Sequence, residues 1–212
     1  MDRFAEQLNF LKEIDRMKTV YRRNVVIDKS RQEDDASHSW HMAMFACVLK
    51  EYAPEGTDLL TVIKMCLVHD LVEVYAGDTF CYDAEGNKDK AERERIAADK
   101  LFALLPGDDG KEFRALWEEF DDPSTKEGWF AAALDRLQPF LLNYHTGGHT
   151  WHLAKVTRED LLNRLAPIKN GMPDKWDKVV EMVDDAIGKG MVPWARELGV
   201  QSSELRVKRR TE

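Results

Sequence analysis

The chain has 212 residues, of which 43% are hydrophobic and 33% charged, and its formal net charge is −8. That balance fits an ordinary globular domain with a sizeable core and excludes a disordered chain. The acidic excess argues against non-specific binding to nucleic-acid polymers, which needs a basic footprint. A small phosphorylated molecule stays open, because it needs only a local cluster of cations or a metal.

In chain order, Phe4, Leu8, Leu11 and Ile14 recur at spacings of three and four. They predict an amphipathic helix over roughly 2–19. Val25-Val26-Ile27 offers one brief strand. Asp28 to Ala36 reads as a polar loop leading into a helix from Ser37 to Tyr52, with Trp40, Met44, Cys47 and Val48 as its apolar positions. Either Asp35 or Ser37 would cap it. Leu59 to Val74 is apolar on almost every side and predicts a central buried helix, ended by Gly77-Asp78. After a polar loop with Gly86 and Asn87, Lys88 to Leu105 is helical again and stops at Pro106-Gly107. Phe113, Leu116, Trp117 and Phe120 mark a short amphipathic helix, and Trp129 to Leu142 an apolar one kinked at Pro139. Beyond the break at Gly147-Gly148, helices are expected near 157–168 and 174–188. The expectation is a single all-α domain over 1–190, followed by a helical or frayed tail over 191–212 whose final stretch, Ser202 to Glu212, is polar and basic.

The N-terminus, MDRFAEQLNF, carries no apolar signal core, and no stretch approaches the roughly 20 apolar residues that span a membrane. Cys47, Cys66 and Cys81 are odd in number, and two of them lie in apolar runs, so a disulfide framework is not expected. A cytoplasmic, non-membrane protein is the default.

His69-Asp70, near the end of the most apolar helix, is the central observation. A carboxylate buried beside an imidazole is costly unless a cation or a hydrogen-bonding partner offsets the desolvation. One divalent cation would supply that charge, and mixed His/carboxylate ligation suits Mn, Co, Zn or Fe, with Mg also open. Two further candidates stand in apolar helical contexts: His38, at the start of the second helix, and Asp135, which interrupts Trp129-Phe130-Ala131-Ala132-Ala133-Leu134. His41 is a rival ligand, since the i, i+3 spacing of HSWH can bring both imidazoles together. Asp135 also has Arg136 as a ready salt-bridge partner. His145, His149 and His152 cluster around Gly147-Gly148 without an interleaved acid or cysteine, and read as surface histidines of a loop.

The ordered set His38 … His69-Asp70 … Asp135, within HSWHMA, HDLVEVYAGD and ALDRLQP, resembles the HD-domain metal phosphohydrolases. The extended pattern is similar to their 5′-deoxynucleotidase branch over about residues 5–190. The resemblance implies a helical bundle of about eight to ten helices and one divalent cation held by those four residues. It further implies Glu73 as the catalytic acid, Asp78 near the scissile phosphate and sugar, and Arg16 as the phosphate-binding arginine. Arg22 and Arg23 are rivals of Arg16. Met17 stands where the nucleotidases tend to have an aromatic, and Ser37 where they usually have an acid. The substrate class implied is a nucleoside 5′-monophosphate, a deoxyribonucleotide, and the assembly a homodimer. Residues 71–134 hold no histidine, which favours a mononuclear site over the dinuclear sites of related phosphodiesterases and pyrophosphohydrolases. A non-catalytic helical scaffold with a structural metal would not require Glu73 or Asp78.

Overall fold

A computed structural model describes residues 2–192. Helix α1 spans Arg3–Ile14, and a 3-10 turn, Asp15–Thr19, follows it. A two-stranded antiparallel hairpin comes next, with β1 at Tyr21–Val25 and β2 at Gln32–Asp34, and Tyr21 opposite Asp34. Then come α2 (Asp35–Leu49), α3 (Leu59–Val68), α4 (Glu73–Ala76), α5 (Lys90–Phe102) and α6 (Gly107–Asp121). The series ends with α7 (Lys126–Thr146), α8 (His149–Leu153), α9 (Arg158–Leu165), α10 (Ile168–Gly171) and α11 (Trp176–Gly188). Eight of these helices, all but α4, α8 and α10, are eight residues or longer, so the fold is all-α with one small hairpin. The stretch expected to be helical or frayed beyond 192 lies outside the described residues.

Helix α7 is the axis of the molecule. Thr125 caps its start by accepting from the Gly128 N–H, and Gly147, with φ 80°, ends it in the left-handed conformation that glycine adopts at low cost. Phe130, Ala131, Ala133 and Leu134 on α7 are buried against α2, α3 and α10. A second apolar cluster, around Phe10, Leu71, Val72, Leu101 and Trp117, packs α1, the α3–α4 turn, α5 and α6 together. The closest approach is that of α10 to α7. A Cβ built on Gly171 would lie 2.3 Å from the Trp129 carbonyl oxygen and 2.6 Å from Ala133 Cβ. Gly171→Ala is therefore expected to force the helices apart and cost about 1–3 kcal/mol, read as a lower urea midpoint with unchanged m-value; an unshifted midpoint would contradict this packing.

Three expectations are corrected. The helix read over Leu59 to Val74 is two helices, because residues 69–72 form a turn in which Leu71 N–H bonds Val68 O (3.1 Å) and Glu73 N–H bonds Asp70 O (2.9 Å). On an unbroken α-helix neighbouring side chains diverge, so only a tighter turn lets His69 and Asp70 enter one site. The cap of α2 is Asp34, whose side chain accepts from Ser37 N–H, rather than Asp35 or Ser37. The apolar stripes that signalled α1 and α2 face outward: Phe4, Leu8 and Leu11 are exposed, as are Trp40 (63%), Met44 and Val48 (66%), while Phe10 and Met42 turn into the core.

Candidate metal centre

Four buried side chains converge from three elements: His38 from α2, His69 and Asp70 from the α3–α4 turn, and Asp135 from α7. His38 Nε2 is 3.0 Å from Asp135 Oδ1 and 3.8 Å from Asp70 Oδ2. His69 Nε2 is 3.0 Å from Asp70 Oδ2 and 3.7 Å from Asp135 Oδ1.

The tautomers follow from the partners behind the rings. His69 Nδ1 lies 2.9 Å from the Cys66 carbonyl oxygen, so it carries the hydrogen and donates it. Behind His38, the Gln138 amide donates from Nε2 to Glu33 Oε1 at 2.6 Å, which turns its Oε1 toward His38 Nδ1 at 2.9 Å. His38 Nδ1 therefore also bears its hydrogen. Burial first, and then the Arg22 charge, push the His38 pKa down to about 3, so the ring is neutral. The His38 Nε2 lone pair then points at carboxylate oxygens, an arrangement that repels unless a cation lies among them, and His69 Nε2 faces the same two carboxylates. His69 Nε2 is buried without any aligned hydrogen-bond donor. Two imidazole nitrogens and two carboxylates held in this way fit a divalent cation.

Gln138 and Glu33 thus set the orientation of a ligand without touching the centre. Gln138→Leu is expected to weaken divalent-cation binding by about 10–100-fold while leaving the fold intact; calorimetric titration of the apo protein reads this, and an unchanged affinity would remove the role.

A second cluster adjoins the first. Arg22 Nη1 reaches Asp70 Oδ2 at 2.6 Å, Asp35 Oδ1 at 3.3 Å and Asp78 Oδ1 at 3.9 Å. Burial would discharge this guanidinium, but Asp70, Glu73, Asp78 and Asp35 outweigh it and keep it charged. Burial also acts on Asp70, yet His69 and Arg22 hold its pKa well below the usual carboxylate range. Glu73 is different. Burial, reinforced by the charges of Asp70 and Asp35, raises its pKa well above the usual value. Asp35 is raised to about 7 by burial and by Asp70, and one carboxyl oxygen each of Asp35, Glu73 and Asp78 lies within 4.8 Å of the other two. Buried carboxyls this close repel each other as anions, which favours a proton on the Asp35–Glu73 pair. Burial likewise raises Asp78.

The structure brings six of the seven candidate residues together: His38, His69, Asp70, Asp135, Glu73 and Asp78. Arg16 is not among them. Its side chain is 54% exposed, pairs with Glu13 at 2.5 Å and stands 5.5 Å from the Tyr75 ring centre. The 3-10 turn directs it to the surface, whereas strand alternation turns Arg22 and Asn24 inward and Tyr21 and Arg23 outward. His41 is no ligand either; its Nδ1 lies 3.1 Å from Gln138 Nε2. His145, His149 and His152 are exposed, as expected. Sequence reasoning missed Glu33 and Gln138 and read Asp35 only as a cap. The i, i+3 spacing of Asp135 and Gln138, one face of one helix, was the available signal.

A helical domain built around a buried His/carboxylate centre on an H-D turn defines a class, and the family comparison agrees with it. The HD-domain family model matches residues 14–176, and the chain belongs to that family. It is 32% identical to the human 5′-deoxynucleotidase HDDC2 over 135 residues, which is 63% of this chain and 65% of that protein, so the match spans less than two thirds of the human protein. The Dictyostelium discoideum protein of the same name is 32% identical over 146 residues, 66% of this chain and 77% of its own length. A crystal structure of a predicted metal-dependent phosphohydrolase from Magnetospirillum magnetotacticum MS-1 superimposes with a TM-score of 0.86 at 45% identity, over 90% of this chain and 95% of that one.

Proposed function

We propose that the chain is a metal-dependent phosphomonoester hydrolase that removes phosphate from nucleoside 5′-monophosphates, deoxyribonucleotides in particular. The observation that carries this reading is the pair of buried imidazoles aimed at two carboxylates beside a Glu73 whose acid form is favoured and a charged Arg22. All of these groups except His38 border one cavity of about 180 Å³. The names of the HDDC2 relatives support the nucleotide class.

His38, His69, Asp70 and Asp135 would hold the cation, which supplies Lewis-acid activation of water and neutralises charge on the phosphoryl group. Among the described residues the side-chain hydrogen bonds and ion pairs of Arg22 run through Nη1, which leaves Nε and Nη2 to grip phosphoryl oxygens; the role first given to Arg16 passes to it. Glu73 donates its proton to the departing 5′ oxygen. Asp35 keeps that proton on the pair, and Asp78, fixed beside Arg22, orients the sugar.

A cytoplasmic homodimer completes the proposal. Among the described residues no helix is long and apolar enough to cross a membrane, and the three cysteines are free. The outward stripe of Trp40, Met44 and Val48 on α2 supports a self-association face. Phosphate release from a panel of deoxy- and ribonucleoside monophosphates and sugar phosphates, with Mn²⁺, Co²⁺, Zn²⁺ or Mg²⁺, tests the activity. Release from no monophosphate with any of these metals would sink it.

A further inference from the structure

The same cavity carries charge that hydrolysis of a simple monophosphate leaves unused. Arg136, on α7 beside Asp135, and Arg164, on α9, both line it. Among the described residues the one ion pair of Arg136 is with Asp135, a carboxylate proposed as a metal ligand. Arg164 is half-buried and makes neither an ion pair nor a hydrogen bond among those residues. Asp160, one turn earlier on α9, spends its carboxylate on the Thr157 capping box. Phe140, Trp151, Leu161 and Leu165 make up the neighbouring wall, and none of them can balance a charge.

Both guanidinia border the same cavity. Like charges brought together out of water cost free energy that an anion placed between them returns. An uncharged nucleobase would leave the repulsion standing. In a chain of net charge −8, this is positive charge placed against the composition.

We infer that Arg136 and Arg164 form a second anion subsite, and that the substrates are phosphomonoesters bearing a second phosphoryl group. Guanidinium forks match phosphate oxygens in pairs, which suits a phosphoryl group better than a single carboxylate oxygen. The inference rests on the proposed hydrolase for the first phosphate, while the subsite can be read by binding alone.

Calorimetry on the metal-loaded protein would compare two ligand pairs: 2′-deoxyadenosine 3′,5′-bisphosphate with deoxyadenosine 5′-monophosphate, and fructose 1,6-bisphosphate with fructose 6-phosphate. The pairs separate a nucleotide source of the second phosphate from a sugar one. In at least one pair the bisphosphate is expected to bind at least tenfold more tightly, and Arg164→Gln to bring that ratio within about threefold of one. Among the described residues Arg164 has no hydrogen bond or ion pair to lose, and circular dichroism would check that the variant is folded. A ratio near one in both pairs, or a preference that survives Arg164→Gln, overturns the subsite. Equal weakening of both members of a pair overturns it as well, because it places the uncharged part of the ligand against Arg164. If no member of either pair releases phosphate while the binding ratio holds, the hydrolase reading falls and the subsite stands.

Discussion

Asp70→Ala is expected to abolish stoichiometric divalent-metal binding and to lower metal-dependent phosphate release by more than the ~10–100-fold typical of a residue that only supports a ligand. Asp70 faces both imidazoles and takes the shortest bond from Arg22, so its loss removes a ligand and loosens the arginine together. The fold itself tolerates the change. In the apo protein Asp70 raises the pKa values of both Asp35 and Glu73, so alanine relieves repulsion among the acids, and Arg22 keeps Asp35 and Asp78 as partners. Thermal melts separate the effects. Added metal should stabilise the wild type by about 2.7 kcal/mol at a hundredfold excess over Kd and the variant not at all. A variant that still gains stability with metal, or keeps wild-type turnover, would remove Asp70 from the centre.

Much of this arrangement was legible in the residues, for identifiable reasons. The helices were readable because burial imposes a 3.6-residue period on apolar side chains, and His38, His69, Asp70 and Asp135 stood out as polar groups inside such runs. Periodicity reports a stripe without reporting what covers it, which is why Trp40, Met44 and Val48 were read as ordinary helix positions and turned out exposed. The break after Val68 was hidden because Leu71 and Val72 continue the apolar run on both sides of the H-D turn. Arg22 could not be separated from Arg16 without the register of a two-stranded hairpin only five and three residues long. Glu33 and Gln138 act through hydrogen bonds across 105 residues of chain, a relation no local pattern carries. The four candidate ligands therefore stood out by their cost, and the groups that aim them stand out chiefly in three dimensions.

Glu73→Gln separates chemistry from binding more cleanly than any ligand replacement. The amide keeps the size of the acid and can still meet Asp35, but it has no proton to give to a leaving alkoxide. Metal content and KM are expected to stay near wild type while kcat falls by ~10²–10⁴, the usual contribution of a positioned general acid. The pH profile carries the sign. Burial, Asp70 and Asp35 all favour the protonated form of Glu73, so the working acid persists through neutrality and activity falls on the alkaline side as the Asp35–Glu73 pair gives up its proton. In Glu73→Gln that alkaline limb should vanish from the residual activity, and in Asp35→Asn it should move, because the acid then titrates without its charged neighbour. Loss of bound metal in Glu73→Gln, or an alkaline limb that persists unchanged in both variants, would assign the proton to another group at the cavity. Asp78, also raised by burial and standing at the same arginine, would then be the group to replace next.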